Sequence, residues 1–290
     1  MRPHHGGRSE REPRARRHHH EGSSELPARR NLSHLSHLSH LGTPAFKDHF
    51  SGHAGDYARY RPTYPPALFD ALAALVARHT LCWDAGTGSG QAAGGLAEHF
   101  AEVVATDASA DQIAHAAPHA GITFRVAPAE DSGIDDATVD LVTVGQALHW
   151  FDQKRFFDEV KRVSVRGGAI AVWAYDLFDL EGVASEALAR FHELVAPYWP
   201  PERALVSRRY ADILFPFKEI PVPPLTMTAS WDFTRTLGYL STWSAVKRCA
   251  KETGRDPIAE FAPRLAAAWG DPAAPKTIAW PLVLRAGRIA

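Results

Sequence analysis

Cysteine is nearly missing from this chain, with Cys82 and Cys249 the only two in 290 residues. That excludes a disulfide framework and fits a reducing cytosol. Cys82 lies within an apolar run and reads as a small buried hydrophobe rather than a reactive thiol. Net charge is close to zero, at −1. Residues 1–40 hold eight Arg against four Glu, so that segment carries +4 and the remainder −5. A mildly acidic body argues against a nucleic-acid channel, and no nucleic-acid partner is expected. No run reaches the roughly 18 to 20 apolar residues that cross a bilayer. The start also lacks the apolar core of a secretory leader. The expectation is therefore a cytoplasmic protein with no membrane partner, monomeric or homodimeric, acting on a small molecule.

What the chain does have is a core-forming composition, 45% hydrophobic, enough for one large α/β domain with an insertion or for two small ones. Residues 1–43 stand apart. Rich in Arg, His, Ser and Gly, they cannot bury enough apolar surface to offset ordering entropy and are expected to be a disordered, dispensable tail. A targeting peptide and an upstream extension are the competing readings. Half of the 16 histidines fall in residues 1–40, but their triplet spacing puts them on no common helix stripe, and no metal site is expected. Residues 44–290 are the expected folded domain.

The most informative stretch is Leu81 to Gln91. A short apolar run ends in Asp84, Gly86, Gly88 and Gly90 follow at alternate positions, and a helical run leads on to Phe100. Strand, tight turn and helix start follow from that order, the glycines admitting unusual φ and close approach of a ligand. The spacing is D-x-G-x-G-x-G. The dinucleotide fingerprint G-x-G-x-x-G would need its third glycine one place later, where Gln91 stands, which disfavours a nicotinamide oxidoreductase. A second strand, 102–107, ends in Asp107, which is either a bidentate acceptor for a ribose or the cap of the next helix. Further strands are expected at 122–126, 139–145 and 169–175, with helices at 66–78, 111–117 and 153–163.

Taken together, these motifs resemble class I S-adenosylmethionine (SAM) methyltransferases of the type-11 small-molecule group. The entry segment F-S-x-H-A-x-x-Y-x-x-Y-R-P-x-Y-P from Phe50, the glycine turn, and His149-Trp150-Phe151-Asp152 after strand four occur in the group's order. Gly167 and Gly168 match a further turn, with Val165-Arg166 departing from its usual apolar residue and proline. The resemblance implies SAM as cofactor and a Rossmann-like, doubly wound, seven-stranded, mostly parallel sheet with strands ordered 3-2-1-4-5. Helical cap segments at about 176–215 and 234–273 would be inserted around strand six. It also implies a cofactor-binding set. Tyr57 and Arg61 come from the entry segment, Asp84, Gly86, Thr87, Gly88 and Gly90 from the turn, Asp107 and Ala108 at the ribose, Ala129 and Glu130 at the adenine, and Gln146 beside the methyl donor. Tyr57, Tyr60 and Tyr64 are equally compatible with stapling the first helix to the sheet.

Gln146, His149 and Trp150 are the candidate catalytic residues. Trans-aconitate and juvenile hormone acid methyltransferases look alike here, with Gln-Trp or His-Trp after the strand. Methyl transfer is an in-line displacement governed by positioning in a dry site. A carboxylate acceptor needs no base, whereas a phenol or amine usually does. His149 can therefore orient an acid, act as base, or merely pack with Trp150. Carboxylate O-methylation is the first reading, hydroxyl or amine methylation the second, and a SAM-binding regulator without turnover a third. Trp199, Tyr239 and Trp243 are aromatic candidates for the acceptor pocket.

Overall fold

The computed structural model describes residues 60–180 and 182–290. Tyr57 and the tail 1–43 lie outside them. Five strands form the parallel part of the sheet: β1 (Leu81–Ala85), β2 (Glu102–Asp107), β3 (Ile122–Val126), β4 (Val139–Gly145) and β5 (Ser164–Tyr175). β1 and β4 are buried almost throughout, as the near-continuous apolar runs of strands covered on both faces require. Their spatial order is β3-β2-β1-β4-β5, as expected, so the order reverses between β1 and β4. That reversal is where open α/β sheets bind ligands.

Short helices make the crossovers. α1 (Pro66–Ala73) precedes β1, α2 (Gln91–Leu96) joins β1 to β2, α3 (Ala110–Ala114) joins β2 to β3, and α4 (Gln153–Val163) joins β4 to β5. α1 stops earlier than the apolar spacing suggests. The His79 ring bonds the Ala73 carbonyl at 3.0 Å, and Leu75 and Val76 continue in tight i to i−3 turns while staying buried. α2 ends at Leu96 rather than Phe100, with Gly94 and Gly95 each weakening the helix by roughly 1 kcal/mol relative to alanine.

The sheet has eight strands, not seven. After α5 (Val183–Val195) and α6 (Arg203–Ser207) come β6 (Lys218–Ile220) and β7 (Thr226–Trp231). Next are α7 (Phe233–Ser241), α8 (Ser244–Thr253), α9 (Pro257–Trp269) and β8 (Lys276–Arg288). Thirteen residues in one strand span about 44 Å. Only 282–288 of β8 pair with β5, antiparallel, and 286–288 also pair with β6. The first half, 276–281, projects past β5 and takes β7 as a partner, which supplies the extra strand.

Two apolar layers cover the sheet. One packs α1, α2, α5 and α7–α9 against it, the other α4 and the α6 segment. α7 and α8 do not run on as one helix. The chain breaks at Trp243, which is extended, and the Thr242 hydroxyl donates to the Tyr239 carbonyl at 2.6 Å. The break turns Tyr239 and Trp243 into one buried aromatic cluster with Phe178, Trp231 and Trp280. In the same layer Phe191 of α5 stacks on Phe261 of α9 at 4.4 Å. Among the described residues no helix is long and apolar enough to cross a membrane.

Candidate active site

The glycine turn follows β1 as expected, and Gly86, Gly88 and Gly90 all have positive φ, at 67°, 59° and 88°. The three are not equivalent. A Cβ on Gly86 would sit 2.6 Å from the Ala147 methyl, and one on Gly90 2.8 Å from the Phe124 ring. On Gly88 it would meet only Gln112 Oε1, at 3.6 Å. Two glycines thus let the turn pack, while the third leaves an open cradle of the kind a ligand fills.

Asp84 is buried at the end of β1, opposite Ala105 and Thr143. Its Oδ2 accepts from Thr87 Oγ1 at 2.6 Å and its Oδ1 from Thr143 Oγ1 at 2.8 Å. Burial outweighs these bonds and pushes the carboxyl up to about 6. Among the described residues its hydrogen-bond partners are hydroxyls, not cations. A ligand ammonium would complete the shell. Asp107 ties the turn to β2, its Oδ2 accepting from Gly88 N at 2.9 Å and its Oδ1 from Ser109 N at 2.8 Å. The cap of α3 is Ser109, whose hydroxyl accepts from Gln112 N. Asp107 therefore does not cap the helix itself, and half-buried Ala108 lies between the two. Ala129 is buried in the turn after β3. Glu130 is engaged elsewhere: its Oε1 accepts from Asp152 N, at the start of α4, at 2.7 Å. The residues present thus fit the amino-acid end of SAM at Asp84 and Gly88, and the Glu130 carboxylate is already shared with the chain.

Residues 146–151, after β4, join this turn to a second compartment. Ala147 and Phe151 press on Gly86, while Gln146, His149 and Trp150 line a cavity of about 100 Å³. At a water's share of ~30 Å³ in the liquid, that is room for roughly three. Arg61, Tyr175, Asp176, Trp199, Arg203, Tyr239, Trp243 and Lys247 also line it, so the three aromatic candidates meet there. Gln146 has φ 59°, unusual for a residue with a side chain, and its amide donates to the Tyr175 carbonyl at 3.0 Å. Arg61 donates to the Tyr175 hydroxyl at 3.2 Å and lies over the Tyr239 ring at 5.6 Å. Arg203 pairs with Asp176 and stacks on Trp199 at 4.0 Å.

His149 sits in the 3-10 turn Leu148–Trp150, its ring 4.7 Å from Trp150 and its Nδ1 3.1 Å from the Tyr210 hydroxyl. Burial, assisted by the Arg203 charge, pulls the imidazole down to about 3, so it is neutral at physiological pH. Sequence reasoning missed Tyr175, Asp176, Arg203, Tyr210 and Lys247. The first two sit where β5 ends, at the carboxyl edge of the sheet, and that rule alone could have found them. The others come from helices and turns with no motif.

A methyltransferase-domain family matches residues 83–172. A methyltransferase-family protein of Dictyostelium discoideum is 30% identical over 227 residues, covering 76% of this chain and 86% of its own length. An uncharacterized methyltransferase of Mycobacterium tuberculosis is 38% identical over 128 residues, 43% of this chain and 51% of its own length. The solved structure of a protein assigned as a type II methyltransferase from Anaeromyxobacter dehalogenans is 44% identical with a TM-score of 0.76. It covers 79% of this chain and 98% of its own.

Proposed function

Because this chain belongs to the class I SAM-dependent methyltransferases, we propose that it methylates a carboxylate oxygen of a small acid. The observation that carries this reading is the charge of the cavity: among the described residues Arg61, Arg203 and Lys247 line it, with Asp176 as the one carboxylate. A half-open pocket with that balance attracts an anion and disfavours a cationic amine. His149 supports the same choice, since an imidazole depressed to about 3 is a weak base for a hydroxyl. A carboxylate needs only to be held.

In this reading SAM, bound at the glycine turn, supplies a methyl group on a positively charged sulfur. Asp84 accepts from its ammonium, the open face at Gly88 admits its amino-acid part, and Asp107 takes the ribose in addition to bracing the turn. Arg61, in the lining of the cavity, adds positive charge for a carboxylate. Gln146, His149 and Trp150 hold the acceptor oxygen and wall out water. Helices α5–α9 act as the cap that selects the acceptor, through Trp199, Tyr239 and Trp243.

The test is methyl transfer from labelled SAM to a panel of small acids, phenols and amines. A carboxyl ester releases its label as methanol in mild alkali, whereas a methyl ether or methylamine does not. Label that stays bound after alkali would reject the carboxylate. With the acceptor in hand, His149→Gln is expected to keep much of the rate lost in His149→Ala, since an amide can donate but cannot serve as a base. Equal loss in both would favour the base role.

A further inference from the structure

The turn after α6 holds two consecutive residues with side chains in the left-handed region, Arg209 at φ 58° and Tyr210 at φ 55°. Each such residue costs on the order of 1–3 kcal/mol and persists only where its surroundings impose it. Here the surroundings are the sheet. Arg285 of β8 donates through one Nη1 to the Tyr210 carbonyl at 2.7 Å and to the Ile213 carbonyl at 3.1 Å, and through Nη2 to Glu219. Its guanidinium also lies over the Phe215 ring at 4.7 Å. The strained turn is therefore stapled to the strand that pairs with β5. What it delivers is the Tyr210 ring, 1% exposed, with its hydroxyl on His149.

Among the described residues, His149 Nδ1 is the only hydrogen-bond partner of that hydroxyl. A buried phenol that merely accepted would leave its own hydrogen unpaired, costing about 1–3 kcal/mol. Donation leaves only spare lone pairs. Nδ1 then accepts, and in a neutral imidazole the remaining hydrogen sits on Nε2, the nitrogen left for the cavity.

We propose that Tyr210 is a positioning residue that donates to His149 Nδ1 and so locks the imidazole as an Nε2–H donor toward the acceptor. This rests on the reading of His149 as the group that holds the acceptor oxygen. It also explains why a base role is closed to the ring: the nitrogen facing the cavity has no lone pair in the plane to give. The tyrosine would be needed for orientation and tautomer, while touching neither cofactor nor acceptor.

The deciding measurement is the histidine ring nitrogen–hydrogen correlation spectrum of the full chain without acceptor, with His149→Gln identifying the resonances. Wild type is expected to show a lone pair on Nδ1 and a hydrogen on Nε2, and Tyr210→Phe a mixture of the two tautomers. In turnover, Tyr210→Phe is expected to lower kcat about tenfold with unchanged affinity for S-adenosylhomocysteine. A hydrogen on Nδ1 in wild type would overturn the proposal, as would an unaltered tautomer in Tyr210→Phe. Should that variant fold poorly, the wild-type tautomer alone decides. A purely structural tyrosine would shift Tm and leave the tautomer alone. Because the spectrum needs no acceptor, the expected tautomers alongside alkali-stable product would reject the carboxylate and leave the Tyr210 lock standing.

Discussion

The glycine turn and the aromatic cavity share one edge of the sheet, yet they are assembled from different ranges of sequence. The turn is made by residues 84–91 with braces from β2, β4 and the segment after β4. The cavity draws Arg61 from before the first strand, Gln146 to Trp150 from the middle, and Arg203, Tyr239 and Lys247 from helices placed far later. Backbone conformation therefore dominates the first and side-chain convergence the second. A substitution in the turn should act on cofactor affinity and fold together, whereas one in the cavity should act on the acceptor alone.

The sharpest break in that comparison is expected from Gly86→Ala. A positive φ costs roughly 1–2 kcal/mol for an alanine, and overpacking against Ala147 and Phe151 adds about 1–3. Calorimetry should find S-adenosylhomocysteine affinity down about a hundredfold or more, with Tm lowered too. Gly88→Ala carries the same backbone strain, at φ 59°, but meets no close protein atom, so its loss of Tm should be smaller than that of Gly86→Ala while its loss of affinity remains large. Equal effects in the two variants would mean that Gly88 faces no ligand.

Asp84→Asn separates cofactor binding from stability within the turn. A carboxyl raised from 3.8 to about 6 on folding binds its proton more tightly when folded, so stability present below pH about 4 is lost as pH rises through about 6. The shift corresponds to about 3 kcal/mol. Without cofactor, the asparagine variant should therefore be the more stable protein at pH 7.5, the gap closing near pH 4. Added S-adenosylhomocysteine should stabilise wild type more than the variant. Denaturant titrations at the two pH values, with and without ligand, check both parts.

Arg203→Met tests the other side and should have the smallest reach. It removes the partner of Asp176 and the stack on Trp199 while keeping an unbranched apolar stem. KM for the acid should rise on the order of tenfold, the scale of one lost charge contact, with S-adenosylhomocysteine affinity unchanged. A matching loss of cofactor affinity would show that the two compartments are not separable.

Legibility followed the same division. Asp84 and the three glycines stood out because a tight turn imposes residue types at fixed offsets, and the parallel strands showed as apolar runs alternating with helices, while their order was implied by the family resemblance. The run at 228–233 was ambiguous by itself and the count of seven strands fell one short, because whether it pairs depends on how far β8 runs past β5, which no local pattern records. Glu130 was read as an adenine acceptor, and only its further bond through one carboxylate oxygen to Asp152, 22 positions on, was not legible. Tyr210 carried no signal at all: an Arg-Arg-Tyr run gives no hint of a left-handed turn that Arg285 imposes from 75 residues away.

By itself the sequence determined the chemistry of the turn, the parallel half of the sheet and the family, because these depend on φ preferences and on the periodicity of neighbouring residues. Only the tertiary structure decided which cations share a cavity, that His149 is half-buried and neutral, and which hydroxyl faces its ring. Those are properties of distance and solvent exclusion, and they arise only when segments far apart in the chain are packed together.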